Sequence, residues 1–463
     1  MNIIWTAKQI SQALNVIFKS QDNFGKVHFN SQNITEGDIF IALEGGARDG
    51  HDFIYDAFNK KAGLIIVSQN IVKLPKNKII RVKNTFIALN DLARYKRHHS
   101  KACFIGITGS SGKTTTKEIL GLILKHFGKT FVSRGNFNNH IGVPINLASI
   151  SDLDKFVVIE MGMSSAGEIS FLTKQVMPHI GLITSVSEGH LEFFDSIQKI
   201  ADAKSELFEG LDSISGVAIL NRDISTYMRC IKNINVLGIK NILTFGESYF
   251  SNTRLISYSF TNSGMVKLSY SIFNKKLEIF MPSIPKHIAI NFAAVFAVTH
   301  VLNINITQVV KILMTFKLSI GRGLIVKVKK NNKEYNVITD YYNANPESMK
   351  AGLKNLQRFK STRKVAILGD MKELGKDTLK IHYSLVPYIV RSGVTNLFLV
   401  GNIISQISNY LPKNILVSYY KKTEDLIHVI NRNIEGGEVI LIKGSRDIGL
   451  EKIAKSLGVT NAI

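Results

Sequence analysis

The chain has 463 residues, of which 45% are hydrophobic, 20% are charged and only 8 are proline. This composition excludes a disordered, collagen-like or low-complexity protein, and the length suggests about three domains of roughly 150 residues. The formal net charge is +23, but the lysines are scattered and form no long basic block. We therefore attribute the charge to a general bias toward lysine and expect neither nucleic acid nor a membrane surface as a partner.

Two features predict a cytoplasmic protein without membrane insertion. Cys103 and Cys230 are too few for a disulfide framework and favour a reducing compartment. Residues 1–16 contain too many polar side chains for an export signal. The most apolar stretch, residues 288–304, is interrupted by polar residues such as Asn291, and it falls short of the ~20 apolar residues of a spanning helix. We predict a buried helix there.

The first part of the chain alternates short strands with short helices. Residues 37–43 and 62–68 are apolar runs of strand length bounded by glycine and polar residues. The basic, polar segment 94–101 predicts a linker or exposed turn. We therefore predict a small α/β domain over residues 1–98.

The middle of the chain predicts a parallel sheet. Residues 103–109 form a buried-strand pattern that leads through a Gly/Ser loop into a helical pattern, which is the start of a βαβ unit. Further strand patterns at 156–162, 180–186 and 216–221 favour a mostly parallel sheet covered on both faces. Period-two segments from 253 to 281 predict an antiparallel β insertion. The whole predicts a central P-loop, mononucleotide-binding domain over residues 99–318.

The last third repeats the alternation of strands and helices. Its strand patterns read KVAILGDM, NLFLVG, NILVSY and GEVILIKGS. Helical patterns between them predict a second doubly wound, Rossmann-like α/β domain over residues 319–463. The predicted fold class is therefore α/β in three domains.

The motif with the clearest chemistry is a glycine-rich loop between a buried strand and a helix. Its residues are Thr108, Gly109, Ser110, Ser111, Gly112, Lys113, Thr114 and Thr115. Glycines let backbone N–H groups face phosphates, the lysine can reach the β- and γ-phosphates, and a following hydroxyl can ligate Mg²⁺. Only two residues separate the glycines instead of the usual four. The loop predicts binding of a nucleoside triphosphate.

Three residues after this loop carry weaker signals. Glu160 ends a predicted strand, His190 follows another, and Lys204 lies on a predicted helix. Ligands of doubly wound folds gather at the carboxyl edge of the sheet, where the first two would lie. Each also has an ordinary interpretation as a helix cap, a loop histidine or a surface lysine. The residues alone leave both interpretations open.

The C-terminal third offers DYYNANP from Asp340, LGDMKELG at residues 368–375, and KGSR from Lys443. Each follows a predicted strand, so all could line one sheet edge. An aspartate there can accept hydrogen bonds from ribose, and a basic side chain can pair with carboxylate or phosphate. Ordinary turn chemistry explains the same residues, and spacing alone does not distinguish the two.

Taken in order, these motifs resemble the Mur ligase family of peptidoglycan synthesis, and within it the members that add D-alanyl-D-alanine to UDP-N-acetylmuramoyl-tripeptide. The resemblance spans the chain. Its segments are residues 37–54, 106–118 with the same shortened glycine spacing, 135–144, 190–211, 342–349, 368–375 and 443–446. It implies an ATP-dependent ligase that forms an amide through an acyl phosphate, acting as a monomer on these two substrates.

The resemblance also implies roles for individual residues. Lys113, Lys204, His190 and Arg322 would be catalytic. Besides the loop from Thr108 to Thr115, ATP would contact Asn291 near adenine, Arg322 and Asp340. Two Mg²⁺ ions would be held by Thr114, Glu160, His190 and Lys204, with the lysine carbamylated by CO₂. The substrates would contact Ser31, Asn138, Asn139, Asn343, Asn345, Lys443 and Arg446. Closure of the third domain over the second is expected before chemistry.

The chain departs from the family pattern at a few positions. Asn30, Ser31 and Gln32 stand where the family has Asp-Ser-Arg, so the first domain lacks the usual charges for UDP. Pro285 replaces a glycine near the expected adenine loop. Two alternatives remain: a related ligase with another amine acceptor, such as a folylpolyglutamate-type enzyme, and a P-loop ATPase stimulated by nucleic acid.

Overall fold

The structure is a computed structural model of the chain. It describes residues 3–45, 48–71, 73–189, 191–261, 265–282, 284–330 and 332–459. His190, one of the predicted catalytic and metal-binding residues, lies outside the described residues.

The N-terminal region contains two small sheets. Its strands and helices are β1 (Trp5–Thr6), α1 (Ala7–Leu14), β2 (Asn23–Phe24), β3 (Val27–His28), β4 (Ile39–Ile41), α2 (Ile54–Asn59), β5 (Leu64–Val67), β6 (Ile79–Arg81) and α3 (Thr85–His99). Strands β3, β4, β5 and β6 form a parallel sheet in that order, and β1 pairs antiparallel with β2. The predicted strands at 37–43 and 62–68 are confirmed as β4 and β5.

The predicted linker at residues 94–101 is wrong, because most of this segment is the last part of α3. The sequence shows four basic residues there, but Lys96 is only 1% exposed. Its ammonium donates to the Ile4 carbonyl at 2.5 Å and to Asp152 at 2.8 Å, and it lies 4.6 Å from the centre of the Trp5 ring. Trp5 in turn donates to the Ala148 carbonyl at 2.7 Å. The basic segment is thus a contact between the first and central regions.

The central region is built on a single large sheet. Its elements are β7 (Cys103–Thr108), α4 (Lys113–Leu124), β8 (Thr130–Val132), α5 (Gly142–Leu147), β9 (Phe156–Glu160), α6 (Glu168–Val176), β10 (Ile180–Ile183), α7 (Ile197–Ser205), β11 (Val217–Asn221), α8 (Tyr227–Val236), β12 (Asn241–Gly246), β13 (Thr253–Phe260), β14 (Val266–Ile272), β15 (Lys275–Met281), α9 (Lys286–Val301) and α10 (Ile306–Leu313).

The strand order in this sheet is β15-β14-β13-β12-β11-β10-β7-β9-β8. The strands from β8 to β12 are parallel, and β13 pairs parallel with β12. Strands β14 and β15 continue the same sheet through the antiparallel pairs β13–β14 and β14–β15. The predicted antiparallel segment is therefore confirmed, as an extension of the parallel sheet. One hydrophobic cluster packs α4, α9 and α10 on one face, and a second packs α5 to α8 on the other.

Helix α9 confirms the predicted buried helix at residues 288–304. Eleven of its side chains, from Ile288 to Thr299, are buried in the core under the sheet. Among the residues that the structure describes, no helix has the length and apolar character to cross a membrane.

The C-terminal region forms a third sheet. Its elements are β16 (Leu324–Lys330), β17 (Lys333–Thr339), α11 (Pro346–Gln357), β18 (Lys364–Gly369), α12 (Thr378–Tyr383), α13 (Val386–Ser392), β19 (Asn396–Val400), β20 (Leu416–Tyr420), α14 (Thr423–Asn433), β21 (Val439–Lys443) and α15 (Glu451–Ser456). The strand order is β16-β17-β21-β18-β19-β20, and only β16 pairs antiparallel. The carboxyl ends of β17, β18 and β21 therefore lie at one edge.

Candidate active site

The glycine-rich loop lies between β7 and α4, at the carboxyl edge of the central sheet. Gly109 and Gly112 adopt φ angles of 153° and 81°. A Cβ atom on Gly109 would lie 2.0 Å from the Thr184 hydroxyl oxygen, and one on Gly112 would lie 2.9 Å from the Asn291 amide nitrogen. Only glycine fits both positions, because the loop lies against the end of β10 and the first turns of α9.

The backbone of the loop is held by the end of β10. The Ser110 N–H donates to the Ser185 carbonyl at 2.9 Å, and the Ser111 N–H donates to the Ser185 hydroxyl at 2.9 Å. Two of the amides expected to face phosphates are therefore used inside the protein. The N–H groups of the first turn of α4 have no intrahelical partner, and no described side chain caps Gly112. This helix end is the part of the loop that can receive an anion.

Three charged side chains meet at this helix end. Lys113 is half-buried and its ammonium donates to the Gly109 carbonyl. Burial lowers the pKa of Lys113, the Glu160 carboxylate opposes that shift, and the Arg322 guanidinium reinforces it. The structure therefore brings together a P-loop lysine, a carboxylate from β9 and an arginine that precedes β16.

Glu160 ends β9 and is only 2% exposed. Its Oε1 accepts a hydrogen bond from the Asn138 amide at 2.9 Å. Its Oε2 is buried and has no hydrogen-bond partner among the described residues. This oxygen forms an ion pair with the Lys117 ammonium at 3.4 Å but accepts no hydrogen bond, so it keeps lone pairs for a hard cation such as Mg²⁺. No cluster of three or more His, Cys, Asp or Glu exists within the described ranges, so phosphate oxygens and the Thr114 hydroxyl would complete such a site.

Lys117 belongs to this site although the sequence analysis did not identify it. It lies one turn after Lys113 on α4, and its side chain is 2% exposed. The Lys117 ammonium lies 3.4 Å from Glu160 Oε2 and donates to the Gly135 carbonyl at 2.8 Å. The signal in the sequence was a second lysine one turn after Lys113, on the same face of the helix. Lys117 thus joins the carboxylate to the loop before α5.

That loop contains the two predicted substrate residues Asn138 and Asn139. The Asn138 amide is bonded to Glu160, and its carbonyl accepts the Gly162 N–H at 2.8 Å. Asn139 Oδ1 accepts the Gly142 N–H at 2.9 Å at the start of α5. Asn146, fully buried, donates from its amide to the Phe137 and Gly142 carbonyls at 2.8 Å each. Both predicted side chains shape this loop.

Lys204 lies on α7 and is only 1% exposed. Burial lowers its pKa well below the ordinary range for lysine, and the positive charge of Lys113 lowers it further. Within the part of the chain that the structure describes, its ammonium has no hydrogen-bond or ion-pair partner. This environment shifts the lysine toward the neutral amine, which is the nucleophilic form.

Asn291 and His287 lie one turn apart at the start of α9. Asn291 is 6% exposed, next to Gly112, and its amide nitrogen has no partner among the described residues. His287 faces the third sheet. The His287 side chain is exposed, and the charges of Asp340, Lys443 and Arg358, all from the C-terminal region, act on its ring. Asn291 was predicted from the sequence to lie near the nucleotide, whereas His287 was assigned no role.

The predicted residues of the C-terminal region lie at the edge formed by β17 and β21. Lys443 is buried and pairs with Asp340 at 2.8 Å, and its ammonium also donates to the Asn343 carbonyl at 3.3 Å. Asn345 caps α11 by accepting the Ser348 N–H at 2.8 Å.

Two predicted arginines meet at one aromatic ring of this region. Arg322 and Arg446 lie over the Tyr342 ring, at 3.8 and 5.3 Å from its centre. The guanidinium groups are attracted by the face of the ring. In the sequence, Tyr342 was noted only as part of its motif. The structure shows that the guanidinium groups of both arginines pack on its ring.

Ser31 does not join this cluster by any contact among the described residues. It begins a 3₁₀ turn in the first region, is 3% exposed, and its carbonyl accepts a hydrogen bond from Lys60 at 3.3 Å. The Asp56 carboxylate, whose pKa is lowered first by a hydrogen bond from the Ser31 side chain, completes this local network.

Comparison with known proteins identifies the family. The model of the Mur ligase middle domain matches residues 107–299, and that of the Mur ligase, glutamate ligase domain, matches residues 325–446. The UDP-N-acetylmuramoyl-tripeptide–D-alanyl-D-alanine ligase of Rickettsia prowazekii (strain Madrid E) is 43% identical, over 97% of this chain and 99% of its own.

Two solved structures extend the similarity to the whole fold. A crystal structure of MurF from Acinetobacter baumannii has 27% identity, a TM-score of 0.85 and 98% coverage of both chains. The MurF ligase from Thermotoga maritima, crystallised in complex with ADP, has 27% identity and a TM-score of 0.79, over 94% of this chain and 97% of its own.

Proposed function

The chain belongs to the Mur ligase family, and we propose that it uses ATP to join D-alanyl-D-alanine to UDP-N-acetylmuramoyl-tripeptide, which forms the pentapeptide of peptidoglycan synthesis. The observation that carries this conclusion is the similarity to a ligase of that name over nearly the full length of both chains. The cluster of Lys113, Glu160 and Arg322 supports it, because phosphoryl transfer depends on positioned charges.

The reaction must convert a carboxylate into an amide. A terminal carboxylate oxygen of the tripeptide attacks the γ-phosphorus of ATP, the bond to the β–γ bridging oxygen breaks, and ADP leaves. The amine of D-alanyl-D-alanine then attacks the carbonyl carbon of the acyl phosphate. Phosphate departs with the bonding electron pair, and the proton of the amine passes to solvent. Water must be excluded meanwhile, because it would hydrolyse the acyl phosphate.

The residues of the phosphate loop bind and orient the nucleotide in this proposal. The first turn of α4 offers N–H groups to the phosphates, and Lys113 and Arg322 balance their negative charge. Binding of the polyanion raises the pKa of Lys113, against the burial that lowers it in the free protein. Asn291 and Asp340 are assigned to the nucleoside, with the Asn291 amide available beside the loop.

Glu160 Oε2 and the Thr114 hydroxyl would hold a Mg²⁺ ion. When bound, the ion neutralises charge on the triphosphate. The buried Oε2 atom without a hydrogen-bond donor supports this assignment. A second ion is assigned by family resemblance to His190 and a modified Lys204.

We propose that Lys204 is carbamylated. Its neutral amine attacks the carbon of CO₂ and releases a proton, which leaves an anionic N-carboxylate in place of an ammonium. Burial and a pKa lowered well below the ordinary range support the proposal, since only the unprotonated amine reacts. The same residue unmodified would place a second cation-forming group beside Lys113.

The remaining assignments are also proposals. Ser31 would contact the uridine nucleotide, and the substrates would reach Asn138, Asn139, Asn343, Asn345, Lys443 and Arg446. The division into a UDP-nucleotide domain (1–98), an ATP domain (99–318) and a C-terminal ligase domain (319–463) is supported by the three main sheets, which do not pair with one another in the described residues. We place the reaction in the cytoplasm.

A ligase assay with purified protein tests the function. We expect ADP release that requires the nucleotide tripeptide and D-alanyl-D-alanine together, and a product whose mass equals the two substrates less one water. Tripeptides ending in lysine and in diaminopimelate should be compared. Product with another amine and none with D-alanyl-D-alanine, or ATP turnover driven by DNA or RNA and suppressed by salt, would contradict the assignment.

A further inference from the structure

The motif at residues 368–375 has no role in the chemistry above, yet its tip contacts the central region. The Glu192 N–H donates to the Glu373 carbonyl at 3.1 Å. A Cβ atom on Gly375 would lie 3.2 Å from Glu192 Cα and 3.3 Å from the Leu191 carbonyl oxygen. The side chain of Leu191 packs against the hydrophobic clusters of both the central and the C-terminal regions. The loop between β10 and α7 is therefore docked on this motif.

The motif itself is fixed firmly to the C-terminal region. Asp370 accepts the Ile404 N–H at 2.7 Å, and its carbonyl accepts the Ser445 N–H at 3.1 Å. The Met371 N–H donates to the buried His382 ring at 3.0 Å, and the Lys372 N–H donates to the Ser445 hydroxyl at 2.9 Å. These four bonds fix residues 370–372, directly before the tip on which the loop is docked.

A second position on the same loop, before residue 190, also lies close to the C-terminal region. A Cβ atom on Gly189 would lie 3.6 Å from Asn345 Cβ, at the first turn of α11. Gly189 thus lies near Asn345, and Glu192 is hydrogen-bonded to Glu373, so the described residues before and after position 190 both lie next to the C-terminal region. The central sheet supplies this loop, and the C-terminal region supplies the surfaces that fix it.

We propose that Glu373 and Gly375 are positioning residues, which fix residues 187–189 and 191–192 for the ligase reaction when the C-terminal region closes on the central one. The proposal rests on the proposed function. The phosphate loop of the central region can then hold the triphosphate of ATP, but the site is complete only after closure, which protects the acyl phosphate from water. It gives the motif at 368–375 a role that its chemistry did not suggest.

Gly375→Ala tests the proposal against a matched control. Gly375 has a φ of 65°, and Gly393, at the end of α13, has a φ of 73°, so both alanine variants carry similar backbone strain. Only Gly375→Ala also places a methyl group against Leu191 and Glu192; Gly393→Ala meets nothing closer than the Lys364 ammonium at 3.6 Å. The melting temperatures of the two variants show whether both substitutions lower stability to the same extent.

We expect Gly375→Ala to lower kcat by about tenfold or more, as for a small displacement of a positioned group. The dissociation constant of a fluorescent ADP derivative should stay within about twofold of wild type, because the phosphate loop is intact. Gly393→Ala should match wild type in both. Equal kcat values for the two variants would overturn the proposal, as would a loss of ADP binding that accompanies the loss of kcat.

A second variant changes the same contact from the side of the central region. It keeps the proposal testable if Gly375→Ala does not fold. Leu191→Ala removes the side chain shared by the two clusters. Hydrogen–deuterium exchange of residues 187–194, with both substrates and a non-hydrolysable ATP analogue, should show protection in wild type and Gly393→Ala and none in Gly375→Ala or Leu191→Ala. Protection in all four would contradict the proposal. Absence of ligase product from wild type would instead count against the proposed function.

Discussion

Two lysines of this protein are equally buried and have opposite surroundings. Lys96, at the contact between the first and central regions, is 1% exposed and has a carboxylate, a carbonyl and an aromatic ring around its ammonium. Lys204, beside the phosphate loop, is also 1% exposed and has no such partner in the described chain. Burial lowers the pKa of both, but only at Lys96 does a partner, Asp152, oppose the shift. A buried lysine with charged and polar partners stabilises a contact between regions, whereas a buried lysine without a partner indicates a functional site.

The sharpest test of this comparison is removal of Lys204. Lys204→Ala should lower ligase turnover by about 10³-fold or more, because the proposed carbamate and its metal contact are lost together. Enzyme depleted of CO₂ should regain activity on addition of bicarbonate. Lys199→Ala, on the exposed face of the same helix and paired with Asp195, is the control and should stay near wild type. Near-normal turnover of Lys204→Ala would contradict the carbamate.

Lys117 shares one feature with each of these lysines: it is buried and paired like Lys96, and it lies in the candidate site like Lys204. Lys117→Met should lower kcat/KM for the nucleotide tripeptide by about 10²-fold, because Glu160 loses its cation and the loop at Gly135 loses its anchor. Lys117→Arg should restore part of the loss. Steady-state kinetics with varied tripeptide measure both, and Lys125→Met, at the exposed residue directly after this helix, is the control. If Lys117→Met behaves like the control, Lys117 has no positioning role.

Loss of Lys96 should affect stability and leave the chemistry intact. Lys96→Met removes the ion pair to Asp152 and the bond to Ile4, and should lower the free energy of unfolding by about 2 kcal/mol. Trp5 is the single tryptophan, so its fluorescence reports this contact directly during denaturation. At a temperature well below the melting point, kcat should stay within about twofold of wild type. A large loss of kcat without loss of stability would break the comparison.

A smaller effect, on the pH dependence of stability, is expected from the buried side chain of His382. His382 is fully buried, and burial lowers its pKa below the ordinary value of 6.5. Its stabilising contribution is present above pH 6.5 and is lost as the pH falls, because the unfolded chain takes up a proton that the folded chain does not. We expect wild type to lose up to about 1 kcal/mol more than His382→Gln between pH 7 and pH 5.5.

Urea denaturation of both proteins at the two pH values measures this difference. Glutamine keeps an acceptor for the Met371 N–H but does not titrate. Equal pH dependence of wild type and His382→Gln would show that the His382 ring takes up its proton at the same pH in the folded and unfolded states.

Much of the fold followed from local pattern. The apolar runs at 103–109 and 156–162 become β7 and β9, because strands buried on both faces must be continuously apolar. The linker prediction at 94–101 failed because charge predicts exposure, and Lys96 finds its carboxylate 56 residues away. Strands β12 and β16 were not predicted at all, and each is recognised as a strand by the neighbour with which it pairs.

The sequence by itself determined the phosphate loop, since a strand, two glycines, a lysine and a helix start are adjacent in the chain and act locally. The sequence also contains, in the same order as the family, the motifs that place the chain in that family. Only the tertiary structure decided what surrounds each charge: that Glu160 meets Lys117 and Asn138, that Lys204 is buried without a described partner, and that Gly375 lies against Leu191. Pairing and desolvation depend on residues distant in sequence, and no local pattern records them.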